Sequence, residues 1–297
     1  MHCKRILTLC DFSASGNRAM ERAALLAAEQ AAELWVVCRP LSREHGPPDA
    51  HDRLERIARQ LAQRHGLRVR TEMAVRQPDP VALSHRADLL VLGYRREPWL
   101  MRWLYGHSLA RMADRSACPL LVVKRQPQRA YRRLMVALDL AEAGSELPDI
   151  SCSLAPQAHI ELFHVLGSFN EVALRGTDSR HPLIDAYRRE LRSRAQQRLL
   201  QISDSLDGRR NRVLATLGRG DIASQLLVHQ QRNGAELMVL GGAGPRSWLG
   251  GLPGLRGRLL AEAGCDLLLM PPGGGQEKTA GHALARLRSW CQDLARS

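Results

Sequence analysis

The sequence predicts an α/β protein made of two tandem copies of one domain, each a five-stranded, mainly parallel sheet flanked by helices. Three observations lead there. Four segments recur in the same order along the chain. Short, continuous apolar runs alternate with stretches of helical spacing, the pattern of strands buried on both faces of a parallel sheet. Finally, the 297 residues are 44% hydrophobic and 25% charged, an ordinary globular composition with room for two domains.

The repeat begins with Arg5-Ile6-Leu7-Thr8-Leu9-Cys10-Asp11, which returns 128 residues later as Arg133-Leu134-Met135-Val136-Ala137-Leu138-Asp139. At that spacing Leu34-Trp35-Val36-Val37 falls on Leu162-Phe163-His164-Val165. Ala87-Asp88-Leu89-Leu90-Val91-Leu92-Gly93 returns as Ala235-Glu236-Leu237-Met238-Val239-Leu240-Gly241. Cys118-Pro119-Leu120-Leu121-Val122-Val123 returns as Cys265-Asp266-Leu267-Leu268-Leu269-Met270. The expected domains are residues 1–126 and 130–272, joined through the polar stretch 124–130 around Pro127.

The strands expected in the first copy are Ile6–Cys10, Leu34–Cys38, Val69–Ala74, Leu89–Leu92 and Leu120–Val123. Those of the second are Leu134–Leu138, Ile160–Leu166, Val213–Leu217, Leu237–Leu240 and Leu267–Met270. Between them Leu54, Ile57 and Leu61 share one helical face, with Asp52 as a cap and Gly66 as the stop. Leu183, Tyr187, Leu191, Leu199 and Ile202 mark a longer helix. Residues 76–87 contain Pro78 and Pro80 and are shorter than their counterpart 220–235, so that helix is expected to be clipped. Residues 276–297 place Leu284, Leu287, Cys291 and Leu294 at helical spacing, which predicts a C-terminal amphipathic helix.

Composition also excludes classes. No run of apolar residues reaches membrane-spanning length, and the first residues do not read as a secretory signal. The seven cysteines are scattered, without a C-x-x-C pair, which argues against a disulfide framework or structural zinc and for the reducing cytoplasm. The formal charge is +13, and only three of the 43 basic residues are lysine. No recognised nucleic-acid-reading motif accompanies that charge, so no sequence-specific nucleic-acid binding is expected.

In open parallel sheets ligands sit beyond the carboxyl ends of the strands, where the strand order reverses. Asp11, Asp139, Gly93 and Gly241 lie at such ends. The richest loop is Gly241-Gly242-Ala243-Gly244-Pro245-Arg246-Ser247-Trp248-Leu249-Gly250-Gly251-Leu252-Pro253-Gly254. Glycines let backbone amides approach a phosphate, and a following helix N-terminus favours an anion; a flexible turn would also use them. No G-x-x-x-x-G-K-[ST] is present, so this is not a P-loop.

These motifs together resemble the universal stress protein family, as a tandem of two UspA-type domains. Cys10-Asp11-Phe12-Ser13 is similar to that family's first-strand signature, 87–93 and 235–241 to its fourth strand, and 116–123 to its closing strand. The resemblance implies Rossmann-like domains of the adenine nucleotide alpha hydrolase type. It further implies a stress-response module that binds or senses an adenine nucleotide such as ATP, with magnesium only alongside the nucleotide. The family's G-x-x-G-x9-G-[ST] pattern is kept in the second copy as Gly241, Gly244 and Gly254, with Leu255 in the hydroxyl position. Asp139 would contact the ribose or adenine end, with Val165 and Leu240 beside the base. The first copy has Arg96 for the second glycine and His107 for the hydroxyl, which implies a degenerate site despite Asp11, Gly93, Arg95 and Gly106.

No nucleophile–base–acid set stands out. His164, in an apolar strand, reads as a satisfied core histidine, and Cys10 and Cys118 as small buried residues. Trp99, Trp103 and Tyr105 would form a hydrophobic lid. The alternatives to nucleotide sensing are a basic scaffold for protein or nucleic-acid partners and a weak nucleotide hydrolase. The apolar closing strands Leu120–Val123 and Leu267–Met270 are expected at sheet edges and to pair within the chain as a pseudo-dimer. The C-terminal helix would dock on the body or join two chains as a homodimer.

Overall fold

The computed structural model describes residues 3–38, 50–74, 78–95, 108–140, 146–167, 181–206, 211–242 and 254–272. The expected C-terminal helix and Trp99, Trp103 and Tyr105 lie outside the described residues.

Half one runs β1 (Arg5–Cys10), α1 (Ala14–Gln30), β2 (Glu33–Cys38), α2 (Ala50–His65), β3 (Val69–Met73), α3 (Pro80–Ser84), β4 (Leu89–Gly93), α4 (described over 108–115) and β5 (Leu120–Val123). Half two runs β6 (Arg133–Ala137), α5 (Leu147–Leu154), β7 (His159–Gly167), α6 (His181–Asp204), β8 (Arg212–Gly220), α7 (Ile222–Asn233), β9 (Leu237–Leu240), α8 (Leu255–Glu262) and β10 (Asp266–Leu269). All ten expected strands form, within one to three residues of their expected ends.

The strands join into a single ten-stranded sheet of order β3-β2-β1-β4-β5-β10-β9-β6-β7-β8. Each half has the same parallel order, and the halves meet where β5 and β10 pair antiparallel, Leu121 opposite Leu268. Alternation sends Leu121, Val123, Leu268 and Met270 to one face, under α1, α2, α5 and α6. Leu120, Val122, Leu267 and Leu269 go to the other, under α3, α4, α7 and α8.

Acidic residues in the repeated motifs pin the strand starts. Asp88 accepts from the Lys4 and Arg5 amides at 2.8 and 2.9 Å, and its counterpart Glu236 accepts from the Arg132 amide at 2.6 Å. Asp79 and Asp221 occupy equivalent caps, accepting from Val81 N and Ser224 N. After them the halves diverge: α3 has five residues and α7 has twelve. Gly66 ends α2 at φ +64 as expected, whereas Asp52 lies in the first turn of α2 rather than before it.

The sheet register corrects one sequence match. Leu34 pairs with Ile6, and the residue paired with the equivalent Leu134 is Ile160, not Leu162. Trp35 therefore corresponds in the sheet to Glu161, and Val37 to Phe163. A slip of two residues keeps every side chain on its face, so the apolar pattern alone does not fix the level.

On the face of the sheet that α3 shares, the guanidinium groups of Arg5, Arg70 and Arg86 lie 4.3, 4.4 and 5.0 Å from the Trp35 ring centre. The indole N–H donates to Glu33, and Arg86 pairs with Glu72. At the same level of half two, Glu161 accepts from Thr216 and Asn233, each at 2.6 Å, and lies 2.7 Å from His229 Nε2. The long α7 supplies His229 and Asn233. Its counterpart in half one is too short to do so.

Candidate functional site

The order β3-β2-β1-β4-β5 reverses between β1 and β4, and its counterpart in half two reverses between β6 and β9. A ligand crevice is expected beyond the carboxyl ends of those strands. The repeat places an aspartate and a glycine there in each half: Asp11 and Gly93, Asp139 and Gly241. Their chemistry differs.

In half one the Asp11 carboxylate is engaged in starting α1. Its Oδ1 accepts from Ser13 N at 3.0 Å and Ser13 Oγ at 2.5 Å. Ser13 in turn caps α1 by accepting from Gly16 N at 3.0 Å. Phe12, at φ +56, turns the chain into this cap. Gly93 serves packing, because a Cβ there would stand 2.1 Å from the Ser15 carbonyl oxygen. Both residues thus hold the N-terminus of α1 against β4. Arg96, Gly106 and His107 lie outside the described residues.

In half two Asp139 is 7% exposed just past the end of β6. The helix that follows, α5, has eight residues against seventeen in α1, and no side-chain hydrogen bond caps it. Beside Asp139, His164 Nδ1 lies 2.8 Å from the Leu138 carbonyl oxygen. Burial holds the His164 pKa below its ordinary value, although that carbonyl and the Asp139 charge pull the other way. His164 is therefore a satisfied core histidine, as expected.

Val165 and Leu240, at 2% and 0% exposure, belong to the core cluster under α7 and α8. Their side chains are walls of the sheet, and the Leu240 carbonyl already accepts from Met270 N at 3.0 Å. Gly241 is buried at the end of β9. Gly242 allows a close crossing, since a Cβ there would lie 2.4 Å from the Pro271 carbonyl oxygen. Gly244 lies outside the described residues. Gly254 has φ +83 and opens α8 with no side-chain cap. The cap residue therefore brings no side-chain acceptor of its own to the first α8 amides, an arrangement suited to receiving an anion. Leu255 is 5% exposed and packs into the core, so it supplies no hydroxyl there.

Topology thus gathers Asp139, Val165, Leu240 and Gly241 at the carboxyl ends of β6, β7 and β9, with Gly254 opening the helix that follows β9. Among the described residues, no three or more His, Cys, Asp and Glu side chains are grouped to hold a metal ion. No described helix is long and apolar enough to cross a membrane.

Residues 2–124 match the family model "Universal stress protein family". The first half of the chain belongs to that family. A universal stress protein from Archaeoglobus fulgidus DSM 4304 superposes with a TM-score of 0.61 at 15% identity, covering 92% of this chain and 97% of its own. A protein of unknown function from Pseudomonas aeruginosa PAO1 superposes with a TM-score of 0.61 at 18% identity, over 91% and 93% of the two chains. At these identities the likeness shows the fold, and it spans both halves, so the universal stress domain is followed by a second unit of the same architecture. No curated protein matches the sequence.

The structure adds residues that the motif search missed, and they hold the seam. Asp266, at 0% exposure, accepts from Lys124 N at 2.7 Å, Arg125 N at 2.9 Å and Tyr131 Oη at 2.7 Å. Lys124 Nζ donates to the Leu260 and Ala263 carbonyls at the end of α8. Arg256 bridges the halves by pairing with Asp114. A sequence signal existed for Asp266: an acid stands in an apolar closing strand where the first copy has Pro119.

Proposed function

We propose that this universal stress protein senses an adenine nucleotide of the ATP type through half two, and that half one carries structure rather than ligand. The observation that carries this reading is the contrast between the two switch points. Asp11 and Gly93 are committed to the start of α1, whereas the cap residue of α8, Gly254, brings no side chain to the first amides of that helix. The phosphates would meet the glycine loop and the α8 amides. Asp139 would meet the ribose or adenine end, and the Val165 and Leu240 backbone would border the base. Magnesium would enter only with the nucleotide.

Within this reading the units span 1–126 and 130–272, residues 276–297 form a separate amphipathic helix able to join two chains, and the protein works in the cytoplasm. In this reading the protein binds the nucleotide without strong catalysis.

Mass spectrometry of the gently purified full chain should find a retained adenine nucleotide, and calorimetry should detect ATP binding with magnesium present. Asp139→Asn and Gly254→Val should weaken that binding at least about tenfold, the loss of roughly one charge-assisted hydrogen bond. Asp11→Asn should leave affinity unchanged. A wild-type chain that binds no adenine nucleotide overturns the site, and equal loss from Asp11→Asn and Asp139→Asn overturns the asymmetry.

A further inference from the structure

We propose that Cys10 and Cys38 are a dithiol that a hydroperoxide converts to a disulfide, a modification site in half one that does not depend on nucleotide binding. The two cysteines are the last residues of β1 and β2 and are direct partners in the parallel register. Both point to the face covered by α1 and α2, and both have 0% exposure. Neighbouring strands lie about 4.8 Å apart, within the roughly 4.4–6.8 Å that a disulfide spans between Cα atoms. The bond can therefore form with little backbone movement.

The surroundings give the two sulfurs different roles. The Cys38 thiol donates a hydrogen bond to the Cys10 sulfur, and the Phe12 backbone N–H donates to it as well. The Arg53 guanidinium, 4.7 Å from the Phe12 ring centre, adds favourable charge, while burial and Asp11 oppose ionisation. The balance holds the Cys10 pKa below its ordinary value and pushes that of Cys38 up. Thiolate character is what makes a cysteine nucleophilic. Burial instead pushes Cys3 and Cys265 up to about 12. Half two has no such pair: one step beyond Ala137 and Phe163 stand Leu138 and His164.

The chemistry balances with the peroxide as the only oxidant. The Cys10 thiolate attacks the distal oxygen of the peroxide and the O–O bond breaks; Cys10 becomes a sulfenic acid, and the departing alkoxide, or hydroxide from hydrogen peroxide, takes up the proton that Cys10 released and leaves as alcohol or water. The Cys38 sulfur then attacks the Cys10 sulfur, the S–OH bond breaks, and the hydroxide departs with the Cys38 proton as water. Two thiols lose two electrons in all, and the peroxide gains them. Because neither sulfur is exposed, opening at the ends of β1 and β2 sets the rate.

The test is hydrogen peroxide treatment of the reduced full-length protein at neutral pH, followed by alkylation and peptide mapping. The expected product is a Cys10–Cys38 cross-linked peptide, reversed by dithiothreitol and formed on the order of tenfold faster than oxidation of Cys3 or Cys265. In Cys38→Ala, dimedone should trap the sulfenic acid on Cys10; in Cys10→Ala, it should not label Cys38. Uniform oxidation of the cysteines, or a cross-link formed only in urea, overturns the proposal. Because the wild-type map alone decides this, it holds even if a variant folds poorly.

Discussion

Arg22 Nε lies 3.6 Å from Asp266 Oδ2 across the seam between the two halves, with side chains 6% and 0% exposed. Arg22 comes from α1 of the first half and Asp266 from β10 of the second. The same guanidinium stacks 3.8 Å from the Tyr131 ring centre and donates to the Arg129 carbonyl at 2.8 Å. Asp266 holds the Lys124 and Arg125 amides and the Tyr131 hydroxyl. The connecting segment is thus gripped from both sides. On α1, Gln30 adds a second link by donating to the Ser153 carbonyl at the end of α5 at 2.6 Å.

Removing one partner of a buried pair strands the other without solvent, a loss of about 3–5 kcal/mol. Asp266→Ala should cost that much in urea unfolding, because three donors and the Arg22 charge lose their acceptor together. Arg22→Met should cost less, since Asp266 keeps its three hydrogen bonds. The wild type should unfold in one transition by fluorescence and circular dichroism. Two separate transitions, or equal costs for the two variants, would contradict a seam organised on Asp266.

Two glycines of half one should respond to alanine for different reasons. At Gly66 a Cβ meets nothing within 4 Å, so Gly66→Ala costs only the left-handed backbone, about 1 kcal/mol. At Gly93 the Cβ would stand 2.1 Å from the Ser15 carbonyl oxygen, so α1 must shift. Gly93→Ala should cost about 1–3 kcal/mol or more, measured as a lower midpoint in thermal or urea unfolding. A Gly93→Ala cost no greater than that of Gly66→Ala would show that the N-terminus of α1 is not seated as described.

Acid should weaken the second half in two steps. Burial keeps His164 neutral in the folded chain, so the unfolded chain takes up a proton first as pH falls below the ordinary histidine value of 6.5, and stability declines from there. Glu161 follows at lower pH. Burial opposes its ionisation, but hydrogen bonds from Asn233, Thr216 and His229 prevail and hold its pKa below 4.5. Its contribution is present above that value and is lost as pH falls through the folded pKa. One group contributes at most about 1.4 kcal/mol per pH unit. His164→Gln should flatten the stability profile as pH falls below 6.5 relative to wild type, and an unchanged slope there would remove His164 from this role.

The sequence by itself determined the architecture. Paired runs such as 5–11 with 133–139 and 87–93 with 235–241 fixed two units, ten strands and a mainly parallel sheet, because burial on both faces leaves continuous apolar stretches. It also foresaw the clipped α3, but the cause is length rather than the prolines: Pro80 sits at the first position after the Asp79 cap, where a helix accepts proline, and the run from that cap to the next strand is shorter than the run from Asp221 to Leu237. Only the tertiary structure decided the level at which Trp35 and Phe163 sit, because a shift of two residues leaves the inward pattern unchanged. It showed that the Asp11 carboxylate engages Ser13 at the start of α1, a role the sequence of the second copy does not repeat, since Ala141 stands two residues after Asp139. It alone brought Cys10 to Cys38 and Arg22 to Asp266, pairs joined by strand register and by the β5–β10 seam. Such partners lie far apart along the chain, and local periodicity carries information only about the next few residues, whereas partnership is set by how the sheet closes.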